Sequence, residues 1–147
     1  MKKLPSLLLF SALVSLTPGC RSHSTAAPAP SAAPVVLSAG WQTGETAQCR
    51  TVSPGSLVEI RLNANPSTGY SWQLERSGNP DSAVLEKYFY WTPPSDSALC
   101  GAPGVDVWQF RAKKKGRAVL KFRYYRQWEK FDPAHDAERI FTIIAAE

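Results

Sequence analysis

Two histidines and three cysteines are the side chains in this 147-residue sequence best suited to acid–base, nucleophilic or metal chemistry. His135 is followed directly by Asp136, a pairing that could supply the base of a catalytic triad. A triad also needs an activated nucleophile on a strained turn, and no Gly-x-Ser-x-Gly elbow occurs. Phe131–Arg139 reads instead as a polar loop. His23 lies in an Ala/Pro/Ser-rich stretch and is expected to be solvated. Cys49 and Cys100 fit no zinc spacing and have no histidine near them in sequence. These groups point to neither an enzyme nor a metal or cofactor protein.

Binding chemistry is better represented, in three stretches. In Asn65-Pro66-Ser67-Thr68-Gly69-Tyr70, Pro66 fixes its own φ and biases Asn65 toward extended backbone. Gly69 can take positive φ, which leaves Ser67 and Thr68 as small hydroxyls on a stiff, narrow tip. Such a tip has already lost the entropy that binding would cost, although a plain turn would read similarly. In Leu99-Cys100-Gly101-Ala102-Pro103-Gly104-Val105, little side chain covers the backbone, so main-chain groups are open to an extended partner. In Tyr125-Arg126-Gln127-Trp128-Glu129, a strand-like run delivers Trp128 into a loop, and Trp and Arg are the types enriched at binding hot spots.

The elements that must position these stretches are short strands. Leu57–Ala64 alternates, with Val58, Ile60 and Leu62 opposite Glu59, Arg61 and Asn63. Asp106–Ala112 sets Trp108, Phe110 and Ala112 on one face. Ala118–Tyr125 turns Ala118, Leu120, Phe122 and Tyr124 inward. Val35–Leu37, Thr46–Val52, Tyr70–Glu75, Val84–Trp91 and Arg139–Ala145 complete the set, with turn signals between them such as Ser53-Pro54-Gly55-Ser56. No long segment shows helical spacing. The reading is all-β: an immunoglobulin-like antiparallel β-sandwich of seven to eight strands, with a small barrel as the alternative. Trp72 and Trp108 are its expected core anchors. Lys113-Lys114-Lys115-Gly116 is expected as a solvated hairpin tip.

The globular part spans residues 35–147. Before it, Met1-Lys2-Lys3 and the apolar run Leu7–Leu16 have the shape of a secretory signal over residues 1–19. The run is too short for a stable membrane span. Leu16-Thr17-Pro18-Gly19-Cys20 resembles a bacterial lipoprotein signal with Leu16 one place early, which implies lipidation of Cys20. Residues 20–34 then form an Ala/Pro/Ser-rich tether. The expected location is the cell envelope, lipid-anchored at the outer membrane on the periplasmic side. Removing residues 1–19 takes away Lys2 and Lys3 and no acid, so a net charge of +5 becomes +3, which gives no case for nucleic acid. In an exported chain Cys49 and Cys100 are expected either to pair as a disulfide or to lie buried as thiols.

Taken together, the three loop stretches resemble the motifs of the chagasin-like inhibitors of papain-family cysteine peptidases. Those motifs are Asn-Pro-Thr-Thr-Gly-Phe/Tyr, a Gly-x-Gly-Gly or Gly-x-Pro-Gly loop, and Arg-Pro-Trp. Here they are matched in order by Asn65–Tyr70, with Ser67 for the first threonine, by Gly101-Ala102-Pro103-Gly104, and by Arg126-Gln127-Trp128, with Gln127 for proline. The resemblance covers about residues 40 to 145. It implies reversible occlusion of a papain-family cleft; a monomer is expected. Thr68 would reach the catalytic Cys and His, Gly101–Gly104 would lie along the unprimed side, and Trp128 would stack on the primed side with Arg126 beside it. The competing reading is an immunoglobulin-like envelope lipoprotein that binds a protein or a glycan through Tyr125 and Trp128.

Overall fold

The computed structural model describes residues 33–40, 44–94 and 101–146. The signal segment, most of the tether, Cys20 and Cys100 lie outside the described residues. Cys49 is exposed on its strand.

Alternating residues build eight strands: β1 Val35–Ala39, β2 Gly44–Val52, β3 Leu57–Ala64, β4 Tyr70–Gly78, β5 Val84–Trp91, β6 Gly104–Arg111, β7 Gly116–Arg126 and β8 Ala137–Ala145. They form two four-stranded sheets, in the orders β1-β3-β6-β5 and β2-β8-β7-β4. The inward set of β3, Val58, Ile60 and Leu62, is fully buried. It packs against Leu120 and Phe122 of β7 and Phe141 and Ile143 of β8 in one core. Phe122 joins the layers, edge-on to Trp108 at 5.3 Å and to Phe141 at 5.8 Å. This is the β-sandwich that the alternation predicts.

Two features depart from an all-antiparallel reading. β1 runs parallel to β3, and β2 runs parallel to β8. Alternation gives the same face pattern in either direction, so direction is not readable from it. Arg139 also points inward from β8, only 2% exposed. Its guanidinium donates to the carbonyls of Gly40, Gly44 and Glu138 at 3.0, 2.6 and 2.7 Å. It thereby ties the end of β1 to the start of β2, where the chain changes sheets.

Trp72 is buried as expected, and its Nε1 donates to the Asn63 carbonyl at 2.9 Å. Trp108 is only half-buried, beside Tyr88 of the edge strand β5, at 4.2 Å between ring centroids. Beside it, Asp106 is buried on the inner face of β6 and accepts from the Tyr88 hydroxyl at 2.9 Å. Burial raises the Asp106 carboxyl above the usual range, and the Tyr88 bond only partly offsets this. A raised folded-state value means that ionisation of Asp106 opposes folding at neutral pH. The penalty fades as pH falls through that value. Asp106→Asn is therefore expected to raise Tm at pH 7 and to leave it close to wild type at pH 4. Thermal melts at the two pH values check this, and a Tm difference independent of pH contradicts it.

The lysine run is the solvated hairpin tip expected between β6 and β7, and its backbone is also pinned to a neighbouring turn. The backbone N–H groups of Lys113 and Lys114 donate to the Asp81 carbonyl at 3.2 and 3.1 Å, and Lys114 Nζ reaches Asp81 Oδ2 at 2.6 Å. The run is docked on that turn through Lys113 and Lys114, while the lysine side chains stay exposed.

Candidate functional site

Strand register brings the three loop stretches to one end of the sandwich. Ala64 at the end of β3 faces Gly104 at the start of β6, so Asn65 and Gly101–Pro103 emerge side by side. Tyr70 at the start of β4 faces Arg126 at the end of β7, so Gly69 and Gln127 do the same. The Asn65–Gly69 loop crosses from one sheet to the other and becomes the middle of the three.

Its tip is a 3-10 turn over Pro66–Thr68. Asn65 caps it: Ser67 N–H donates to Asn65 Oδ1 at 3.2 Å, and the Ser67 hydroxyl shares that acceptor. Thr68 N–H and Thr68 Oγ1 both donate to the Asn65 carbonyl, at 3.2 and 2.7 Å. Gly69 ends the turn at φ 80°, donating its N–H to the Pro66 carbonyl at 3.0 Å. Pro66, Ser67 and Thr68 remain exposed. The hydroxyls are spent inside the loop, so the tip's shape is fixed before any partner arrives.

An internal control sits at the other end of β4. Asn79-Pro80-Asp81-Ser82 forms a second 3-10 turn, again with an Asn side chain accepting from the N–H two residues on. That turn is covered by the lysine hairpin, and Ser82 is fully buried. An Asn-Pro turn is thus a stiffening device in both places. What distinguishes the turn in Asn65–Gly69 is that all three of its residues, Pro66, Ser67 and Thr68, stay exposed.

Three sets of contacts lock the edge together. Asn65 Nδ2 donates to the Gly101 carbonyl at 3.0 Å, joining the first and second loops. Asn65 N–H donates to Tyr124 Oη at 2.8 Å, so a core tyrosine braces the tip from below. Arg126 Nε donates to the Thr68 carbonyl at 3.3 Å, while its guanidinium lies 4.8 Å from the centre of the Tyr70 ring. Gly104 is buried at the base of the second loop, where a Cβ would collide with the Tyr90 hydroxyl and the Trp91 carbonyl. Ala102 and Pro103 are exposed beside it.

The third loop turns without the motif's proline. Glu129 N–H donates to the Arg126 carbonyl at 2.9 Å, closing a turn with Gln127 and Trp128 at its centre. The Arg126–Glu129 ion pair at 3.2 Å and a long 3.4 Å bond from Gln127 Nε2 to Ser71 Oγ add to it. Trp128 is 72% exposed, the most open large apolar side chain among the described residues. Its indole lies over Gly69: a Cβ there would stand 2.5 Å from Trp128 Cη2.

His135 pairs with Asp132, Nδ1 to Oδ2 at 2.8 Å, rather than with Asp136. The Asp132 carboxylate raises the imidazole above its ordinary value. The adjoining hollow, between Thr68, Tyr124 and His135, is lined by neither serine nor cysteine. No group of metal-binding side chains occurs among the described residues. Tyr125 is not an open stacking platform, because its ring meets the edge of Phe131 at 5.8 Å.

The sequence singles out all three loops, and the structure joins them. It does not single out Tyr124 as a brace, Glu129 as the partner of Arg126, or Phe131. Only Phe131 leaves a sequence signal, as a lone aromatic in an otherwise polar loop.

Comparison with known proteins agrees with this geometry. The model of the chagasin family peptidase inhibitors, I42, matches residues 51–144. Chagasin of Trypanosoma cruzi is 40% identical over 101 residues, covering 65% of this chain and 86% of that protein. Amoebiasin-2 of Entamoeba histolytica is 34% identical over 79 residues, 54% of this chain and 63% of that one. Among solved structures, the cysteine protease inhibitor EhICP2 of Entamoeba histolytica aligns with a TM-score of 0.57 at 24% identity, over 76% of this chain and 96% of its own. PbICP-C, solved in complex with falcipain-2, aligns with a TM-score of 0.54 at 21% identity, over 76% and 99%.

Proposed function

The chain belongs to the chagasin family of peptidase inhibitors and is not an enzyme; from that premise we propose that it inhibits papain-type cysteine peptidases reversibly, by laying the Asn65–Gly69, Gly101–Gly104 and Arg126–Trp128 loops across the active-site cleft. The observation that carries this reading is the uncovered, internally bonded tip at Thr68, flanked on both sides by the other two loops. A peptidase substrate lies extended in such a cleft. A 3-10 turn held by its own hydrogen bonds fills the space without presenting an extended bond to cut. Affinity then comes from shape and pre-paid ordering, with Trp128 as the exposed aromatic anchor. Glycan stacking is less well supported, since Tyr125 is engaged by Phe131.

As part of the same proposal, Cys20 carries a lipid anchor and residues 20–34 tether the inhibitor at the outer membrane, facing the periplasm. Its support is the basic start, the short apolar run and the small residues before Cys20.

The test is titration of papain whose active sites have been counted. Activity is expected to fall linearly and to vanish near one inhibitor per enzyme. Full activity at micromolar protein removes the reading.

A further inference from the structure

Between Arg126 and Asp136 the chain leaves the sandwich and returns to it. Of residues 127–135, Phe131 alone is not exposed. Its ring folds back onto the outer face of the second sheet, where it meets the Tyr125 ring at 75° and 5.8 Å. The Arg123 guanidinium lies 4.9 Å from its centre. That guanidinium is itself fixed, by Glu138 at 2.6 Å and Glu75 at 3.5 Å. The ring therefore rests on two side chains that β7 already holds in place. Just beyond it, the chain is closed by reciprocal bonds: Asp132 N–H donates to Asp136 Oδ2 at 2.7 Å, and Asp136 N–H donates to the Asp132 carbonyl at 2.8 Å.

Only Glu129 and Lys130 separate Phe131 from Trp128. Three residues of chain reach at most about 10 Å, so fixing one aromatic confines the other. Trp128 has no comparable seat of its own; it is 72% exposed and touches the tip at Gly69. We propose that Phe131 is the positioning residue of the third loop: seated on Tyr125 and Arg123, it holds Trp128 over Gly69 before a peptidase binds. The affinity part of this inference rests on the inhibitor reading. The ordering of the free loop does not.

Two measurements on the whole protein test it. In the free protein, Phe131→Ala is expected to speed amide hydrogen exchange at Glu129, whose N–H closes the third loop on Arg126, by about ten-fold, while exchange in β7 and β8 stays as in wild type. Phe131→Tyr, which keeps the ring, is expected to exchange like wild type. Against papain, Phe131→Ala is expected to raise Kd by about ten-fold through lost pre-ordering. In a Trp128→Ala background the same change is expected to shift Kd by less than about two-fold, since its effect passes through Trp128. Unchanged loop exchange in Phe131→Ala overturns the inference. So does a ten-fold loss of affinity that persists without Trp128. If wild type fails to inhibit papain, the inhibitor reading falls, and the exchange comparison alone decides the role of Phe131.

Discussion

Thr68→Arg is expected to weaken inhibition of papain by at least about 100-fold, or about 3 kcal/mol, while Tm stays within a few degrees of wild type. The side chain stands exposed on the turn at the tip of the first loop. The residue's structural duty is small, because the turn keeps its Asn65 cap, the Thr68 N–H bond to the Asn65 carbonyl and the Gly69 bond to Pro66. What is lost locally is the Oγ1 bond to Asn65, worth about 1 kcal/mol. The large cost falls on the complex. A long cation carried to the floor of a closed cleft must be desolvated without a designed partner, which costs several kcal/mol. Thr68→Ser, which keeps the hydroxyl and shrinks the tip, is expected to stay within about three-fold of wild type. Inhibition constants and melts for both variants separate tip size from loop integrity. Inhibition by Thr68→Arg at wild-type strength means that the first loop does not enter the cleft.

Gly69→Ala is the second substitution with a large expected effect, because it strikes two loops at once. At φ 80° a side chain strains the backbone by about 1–2 kcal/mol. The new methyl would also stand 2.5 Å from Trp128 Cη2 and 3.1 Å from Trp128 Cζ2, so the indole must leave its place over the tip. Tm is expected to fall by several degrees, and Kd for papain to rise by about 30-fold. Repeating the substitution in a Trp128→Ala protein removes the collision and leaves only the backbone strain. The affinity loss in that background should be several-fold smaller. Equal losses in both backgrounds would show that the contact between the two loops contributes nothing to binding.

The contrast between Tyr124 and Thr68 shows how far the sequence reads. Period-two spacing places Tyr124 inward and Thr68 in a turn, and both are found there. That spacing does not say that the Tyr124 hydroxyl braces the Thr68 loop through Asn65, since the two residues joined are 59 apart in sequence. The same holds for Asn65 and Gly101, 36 apart, and for Arg126 and Thr68, 58 apart. Local propensity shapes each loop, but the sheet registers make the three into one edge. Two inward positions also carry charge against the pattern. Asp106 is tolerated beside the open edge near Tyr88, and Arg139 is satisfied by backbone carbonyls where the chain changes sheets. Tyr88, Gly40 and Gly44 all lie far from Asp106 and Arg139 in sequence, so neither arrangement leaves a local signal. Strand direction is likewise silent, which is why the parallel pairing of β1 with β3 and of β2 with β8 emerges only from the structure.

The central claim is physical occlusion of a catalytic cysteine by a preformed three-loop edge. Its most direct measurement is the rate at which iodoacetamide alkylates the papain thiolate in the presence of the protein. The nucleophile is a single reactive thiol, so the reading does not depend on any substrate. The account predicts that one equivalent of wild type protects the thiol and that Thr68→Arg leaves it alkylating at the free-enzyme rate. Alkylation at the free-enzyme rate in the presence of saturating wild type would contradict it, whatever happens to peptidase activity.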